Sequence, residues 1–206
     1  RLVRHQDQVV VVNGSGVDLD FFKPTDLPTR VSFLLIARFL KDKGIMEYLE
    51  AARQLKTKYP DVQFKLVGWT DDNPSSVSAD IIEVYEGEGT IQHLGRLEDV
   101  RKAISESSVY VLPSYREGTP RTVLEAMAMG RPVITTDAPG CRETVVDRVN
   151  GYLVPVRSVS ALVSAMESFI QNPELISLMG QYSRNIAETK YDVHSVNDVI
   201  LKNMGI

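Results

Sequence analysis

Apolar residues in this chain fall into short blocks that alternate with segments of helical spacing. Val9 to Val12 is an apolar run closed by Asn13-Gly14, and Val31 to Ala37 is apolar almost throughout, as a strand buried on both faces requires. Ile45, Tyr48, Leu49, Ala52 and Leu55 then recur at helical spacing, which predicts a helix ended by Tyr59-Pro60. Further strands are predicted at Val62 to Val67, Ile91 to Leu94, Val109 to Leu112, Val133 to Thr135 and Gly151 to Val154. Between them lie short helices at Ser78 to Tyr85, Val100 to Ile104 and Pro120 to Met129, the last closed by Gly130, and a helical turn or two at Arg142 to Val146. From Ser158 onward the pattern is helical, broken near Asn172-Pro173, and Asp71 to Ser78 reads as a surface loop.

Strands separated by helices of this length predict right-handed βαβ units and therefore an α/β fold. The expected architecture is a doubly wound, Rossmann-like parallel sheet of about six strands with flanking helices. Ligands bind such a sheet at the carboxyl ends of its strands, beside helix N-termini. The residues that matter should therefore lie in the loops that follow the strands.

Composition narrows the function classes. With 206 residues the chain is long enough for a sizeable core, and 43% hydrophobic with 24% charged residues is ordinary for a globular protein. A net charge of −4 excludes a strongly basic nucleic-acid binder, although not a local basic patch. No apolar run approaches the roughly 20 residues that span a bilayer. A single cysteine rules out an internal disulfide framework and a cysteine-rich metal site, and it fits a reducing, cytoplasmic compartment. The chain opens Arg-Leu-Val-Arg, without Met or a signal-peptide pattern, so it is expected to be part of a longer protein.

Two loops carry candidate chemistry. Arg38 and Lys43 follow the Val31–Ala37 strand and precede Gly44 and a helix, so two cations share a strand end and a helix N-terminus. Helix starts favour negative charge, so cations there suggest a bound anion; two solvated surface cations are the alternative. The second loop runs Ser114-Tyr115-Arg116-Glu117-Gly118-Thr119-Pro120 into a helix bearing Glu125. Thr119 is expected to be the N-cap with Pro120 in the first helical position, leaving free N–H groups at Gly118 and Thr119. Glu125 sits within Val-Leu-Glu-Ala-Met-Ala-Met. A carboxylate among such neighbours costs on the order of several kcal/mol unless it is paired or hydrogen-bonded. Sugar hydroxyls would serve as partners, and so would neighbouring backbone. A glycosidase pair fits poorly, because one carboxylate lies in the loop and the other inside the helix, which suits two contacts on one ligand better than flanking a single bond.

These residues resemble a known family. Glu117 and Glu125 are spaced like the E-x7-E motif of retaining glycosyltransferases of the GT-B fold, family 4, and Arg38/Lys43 resemble that family's Arg-x4-Lys. Asn13-Gly14-Ser15-Gly16-Val17-Asp18 is similar to the Asn-Gly-Val-Asp segment that opens the donor domain, with two extra residues. Leu94-Gly95-Arg96-Leu97 is similar to the segment that lines the nucleotide base, and Asn150-Gly151-Tyr152-Leu153-Val154 to the family's late strand. Ala37 stands where a Gly is usual before the Arg. The resemblance implies that residues 1–206 form a nucleotide-sugar-binding domain whose acceptor-binding partner domain is absent from this chain. It implies catalytic roles for Arg38 and Lys43 on the diphosphate and for Glu117 on the donor sugar. Donor contacts are implied for Gly16, Leu97, Gly118, Thr119 and Glu125, with Glu125 on the ribose hydroxyls. It further implies metal-independent transfer of a hexose or N-acetylhexosamine from a UDP-sugar to a growing bacterial glycan or lipid-linked acceptor. No cofactor and no nucleic acid are expected, and the parent enzyme has room for a peripheral contact at the inner face of the membrane. A GT-B sugar-nucleotide epimerase and a non-catalytic nucleotide-binding module are the rival readings.

Other motifs carry less. Asp18-Leu19-Asp20 is a formal D-x-D metal motif but lies in the Asn-Gly segment, and Gly14-Ser15-Gly16 lacks the third glycine and the helix of a dinucleotide fingerprint. His5, His93 and His194 are far apart in sequence and are read as structural or surface residues. Cys141 follows Pro139-Gly140 near a helix start, which can lower a thiol pKa, but with no local base it is read as structural.

Overall fold

The computed structural model describes residues 14–204. Val9 to Val12, Asn13 and His5 lie outside the described residues. The strands are β1 (Ser32–Ile36), β2 (Gln63–Val67), β3 (Gln92–His93), β4 (Val109–Leu112), β5 (Val133–Thr136) and β6 (Gly151–Val154). They form one sheet of order β3-β2-β1-β4-β5-β6, with every neighbouring pair parallel. The chain reverses its direction of travel across the sheet between β1 and β4. A ligand crevice belongs at that switch point, where the connections of the two strands part to opposite faces.

The helices are α1 (Ile45–Lys58), α2 (Ala79–Gly87), α3 (Arg101–Ser105), α4 (Arg121–Ala128), α5 (Val159–Gln171), α6 (Glu174–Lys190) and α7 (Val193–Met204). Alternation along the strands divides the core into two layers. Phe33 and Leu35 of β1 and Val109 and Val111 of β4 pack with α1, α2 and α5. Leu34, Ile36, Tyr110 and Leu112 pack with α3 and α4 on the opposite face. All five residues of β1 are buried, the reason its sequence is a continuous apolar run rather than an alternating one. Phe33 and Phe64 face each other in register, and their rings stack at 5.4 Å.

Three details differ from the sequence reading. β3 keeps two residues because it is an edge strand still leaving α2: Ile91 N–H turns back to Tyr85 O, while Leu94 N–H continues the ladder to Leu66 O at 2.8 Å. The turn at Arg142 is a single 3-10 turn, Arg142–Thr144, since Val145 is extended. The C-terminal helical region breaks a second time, at Tyr191-Asp192. There Val17 inserts as a bridge, donating to Tyr191 O at 2.7 Å and accepting from Val193 N–H at 3.1 Å. The N-terminal strap is thereby tied to the C-terminal helices, a contact between distant segments that no local pattern encodes.

Buried cations hold the remainder. Lys65 on β2 donates to Glu106 O at 2.5 Å, and burial lowers its pKa. Arg131, 2% exposed, donates to the carbonyls of Thr25, Asp26, Ile104, Ser105 and Met129 and to the Thr25 hydroxyl. Desolvation pushes its pKa down to about 10. One side chain thus pins the strap to the ends of α3 and α4.

Candidate active site

A cleft of about 810 Å3 opens at the switch point, a volume that suits a small-molecule ligand. One wall is the strap Ser15–Phe22, a second is Leu97–Val100, and the floor is Ile36 with Arg121, Thr122 and Glu125 of α4. Gly16 takes φ +72, and a Cβ on it would stand 2.7 Å from Val193 Cα, so only glycine lets the strap lie this close to α7. Asp18 caps the turn that follows, its Oδ1 accepting the amides of Asp20 and Phe21, each at 2.9 Å. Asp18-Leu19-Asp20 is therefore a turn, and no cluster of potential metal ligands occurs among the described residues.

Gly16, Leu97 and Glu125 all face this cleft. Glu125 is the unusual group. Its side chain is 12% exposed, and its nearest charged partner is the exposed Arg121 at 3.9 Å. No hydrogen-bond donor serves its carboxylate among the described residues. Burial pushes its pKa up, Arg121 offsets this in part, and the negative charge of Asp99 across the cleft adds to the rise. Among the described residues no backbone group donates to the Glu125 carboxylate.

The remaining predicted residues lie in the loops after β1 and β4. Lys43 ends a 3-10 turn, Lys41–Lys43, and its ammonium donates to Glu117 Oε1 at 2.7 Å. The Ser114 hydroxyl donates to the same oxygen at 2.6 Å, so Glu117 is held in a fixed rotamer. Both members of the Lys43–Glu117 pair are mostly buried, at 20% and 14% exposure. Arg38 is half exposed and pairs with Asp71 Oδ2 at 3.1 Å. Asp71 is itself anchored by the Ser76 hydroxyl and the Asn73 amide, which with Arg38 hold its pKa below the usual carboxylate range. Each cation thus already has a carboxylate partner on a neighbouring loop. Asp71 and Ser114 were not recognised from sequence: Asp71 lies in a stretch that reads only as a surface loop, and Ser114 is an unremarkable member of its motif.

The expectation that Thr119 caps the helix is corrected. α4 begins at Arg121, and Pro120, in extended conformation, is the residue before it; no side chain caps this end. Thr119 is occupied elsewhere, packed over Gly14, where a Cβ would fall 2.5 Å from the threonine Cβ. The amides of Gly118 and Thr119 have no acceptor among the described residues, as expected, and those of Arg121 and Thr122 belong to an uncapped helix start. The loop is buttressed from behind by Gly140, at φ +82, where a Cβ would collide with the Glu117 and Gly118 carbonyls at 2.1 Å. Cys141 follows it, fully buried with a raised pKa caused by desolvation, which rules out an activated thiol. His93 caps Gly68 O at 3.2 Å and packs on Phe39, a structural role.

The chemistry available is anion and polyol binding. Arg121, Thr122 and Glu125 line the cleft, where the uncapped start of α4 offers amides to an anion and the Glu125 carboxylate can accept hydrogen bonds from hydroxyls; Arg38, Lys43, Glu117, Gly118 and Thr119 do not line it and lie in the loops after β1 and β4.

Known proteins share this framework. The C-terminal domain of a glycosyl transferase group 1 family protein, LpcC of Francisella tularensis, superimposes with a TM-score of 0.75 at 27% identity, over 86% of this chain and 99% of that one. The pneumococcal O-GlcNAc transferase GtfA, solved with UDP and GlcNAc, gives 0.80 at 25% identity over 97% of this chain and 40% of its own. The N,N'-diacetylbacillosaminyl-diphospho-undecaprenol alpha-1,3-N-acetylgalactosaminyltransferase of Campylobacter jejuni is 30% identical over 192 residues, 89% of this chain and 49% of that protein. The chain spans about half the length of the curated relatives it matches. The family model described as Glycosyl transferases group 1 matches residues 17–186, from the strap that walls the cleft through most of α6, and the chain belongs to that family.

Proposed function

We propose that this chain is the nucleotide-sugar-binding half of a retaining glycosyltransferase. It transfers a hexose or N-acetylhexosamine from a UDP-sugar to a bacterial glycan or lipid-linked acceptor held by a second domain. The mostly buried carboxylate of Glu125 on the cleft floor, which has only the exposed Arg121 at 3.9 Å and no hydrogen-bond donor among the described residues, carries the reading, since two vicinal ribose hydroxyls would supply such donors. The related Campylobacter transferase is named for a lipid-diphosphate-linked acceptor, a Staphylococcus aureus relative for capsular polysaccharide biosynthesis, and GtfA was solved with UDP. No helix among the described residues is long and apolar enough to cross a membrane, and in this reading the domain meets a lipid-linked acceptor at the bilayer surface.

The diphosphate displaces Asp71 from Arg38 and shares Lys43 with Glu117. As the bond between the sugar and the diphosphate breaks, negative charge grows on the leaving group. In this reading Arg38, Lys43 and the amides of Gly118 and Thr119 stabilise it without a metal ion. With Oε1 held by Lys43 and Ser114, the second Glu117 oxygen is the one this reading assigns to the sugar hydroxyls.

UDP should therefore raise the melting temperature of the chain in the presence of EDTA, with Mn²⁺ or Mg²⁺ adding nothing. Binding that appears only with a divalent ion would defeat the metal-independent site.

Glu125→Gln tests the ribose contact. The folded-state pKa of Glu125 lies above its unfolded value, so ionising it costs stability, a cost fully present once pH exceeds the folded pKa. The glutamine variant should melt higher than wild type at neutral pH yet bind UDP about tenfold or more weakly, and it should no longer distinguish UDP from its 2′-deoxy form. In wild type, UDP affinity should fall as the pH drops through the raised pKa. A lower melting temperature with unchanged affinity would make Glu125 a structural residue instead.

A further inference from the structure

We propose that Tyr115 and Glu47 are positioning residues for the transfer, a brace that sets the Lys43–Glu117 pair against the donor. This rests on the nucleotide-sugar reading above, in which that pair meets the diphosphate and the sugar. The pair spans a seam between two loops. Lys43 ends the 3-10 turn after β1, and Glu117 lies in the loop after β4. The backbone closes the seam at two points. A Cβ on Gly44 would fall 2.2 Å from Pro113 O, and Tyr115 N–H donates to Asp42 O at 2.8 Å. The Tyr115 hydroxyl closes it at a third, donating to Glu47 Oε1 at 2.6 Å.

Glu47 follows Lys43 by about one helical turn, and Tyr115 stands just before Glu117 in the same loop. The brace therefore ties together the same two chain segments as the pair. Its make-up costs stability. Glu47 Oε2 is buried without a hydrogen-bond partner among the described residues, a state that a contact selected for stability alone avoids. Arg157, in the loop after β6, lies over the Tyr115 ring at 4.7 Å from its centroid. It takes φ +59, a conformation rare for residues other than glycine, so the backbone is strained where the ring is clamped. Burial and the adjacent Glu47 carboxylate push the Tyr115 phenol up to about 12, which keeps it a donor throughout the neutral range. Three strand-end loops thus converge on one ring, and about an ångström of play there would misplace Lys43 and Glu117.

Release of UDP from a panel of UDP-hexoses and UDP-N-acetylhexosamines by the full-length enzyme tests the brace. Tyr115→Phe keeps the ring and removes one hydroxyl. Its kcat should fall about tenfold to a hundredfold, with donor KM and the UDP affinity of the chain within about twofold of wild type. Glu47→Ala should lose as much, and the double variant no more than either, because both changes remove one contact. Glu47→Gln, whose amide oxygen still accepts the phenol proton, should recover most of the rate. In a Lys43→Ala background Tyr115→Phe should cost no further kcat, although its effect on the melting temperature persists. Wild-type kcat in Tyr115→Phe overturns the brace and leaves the nucleotide-sugar reading standing. So does a loss of UDP affinity equal to the loss of kcat, or an undiminished further loss in the Lys43→Ala background, since Tyr115 would then serve only the fold of its loop. Wild-type enzyme that releases UDP from no member of the panel removes both readings.

Discussion

Arg38→Ala or Lys43→Ala should lower kcat of the full-length enzyme by about 10²–10³ with a smaller rise in donor KM. Their proposed task is to hold charge that grows as the sugar leaves, so the transition state needs them more than the ground state does. Arg38→Lys should rescue only in part, because a compact ammonium cannot copy the planar two-point contact of a guanidinium with phosphate oxygens. The structure separates the two variants in stability. Arg38 is half exposed, and its removal should leave the melting temperature nearly unchanged. Lys43 is mostly buried against Glu117, and removing it leaves that carboxylate with Ser114 alone, a cost of about 1–3 kcal/mol. Steady-state rates and thermal melts of the same preparations decide the matter. Full activity in either variant, or a loss that tracks unfolding in both, excludes the diphosphate clamp.

Arg131→Ala should destabilise the fold far more than either of those changes, by about 3–5 kcal/mol and roughly 10 °C in melting temperature. Its guanidinium serves five backbone carbonyls and one hydroxyl from three separate parts of the chain, in a site 2% exposed. Alanine removes this donor from all of them, with Ile104 O keeping the Ser107 amide at 3.1 Å, and leaves a cavity where water has poor access. Arg131→Lys should recover little, because one ammonium cannot reach so many acceptors. The strap anchored by Arg131 continues into the cleft wall at Phe21 and Phe22, and Arg184 anchors it a second time through Phe22 O at 3.1 Å. UDP affinity should therefore fall in Arg131 variants at temperatures where they remain folded. Chemical denaturation followed by circular dichroism gives the stability directly, and a loss below about 1 kcal/mol would show that the carbonyls find other partners.

Much of this molecule was legible before any fold was known. Continuous apolar runs such as Val31–Ala37 announced strands buried on both faces, and helical periodicity placed α1 almost to the residue. Those signals are local: period and turn chemistry act over a few residues, and burial selects for them directly. Arg38 with Lys43 and Glu117 with Glu125 were visible as motifs of a family, each pair within one strand–loop–helix unit, and the roles proposed for them rest on that resemblance. The cap at Thr119 was misread because a threonine before a proline is a good local cap, yet packing against Gly14 from a distant segment claims that side chain.

Contacts between loops were decided by the tertiary structure alone. Asp71 meets Arg38 across 33 positions, Glu117 meets Lys43 across 74, and Arg131 reaches Thr25 across 106. Each depends on which strands become neighbours, and the order β3-β2-β1-β4-β5-β6 is set by packing of whole layers rather than by any segment's own pattern. The sequence by itself therefore determined the elements, their order, and which side chains could bind an anion or a polyol. The parallel sheet alone decided that Glu125 would lie mostly buried on the cleft floor with no hydrogen-bond donor among the described residues, and that Arg38 and Lys43 would each meet a carboxylate on a neighbouring loop. Those outcomes depend on desolvation and distance, which exist only once remote segments are brought together.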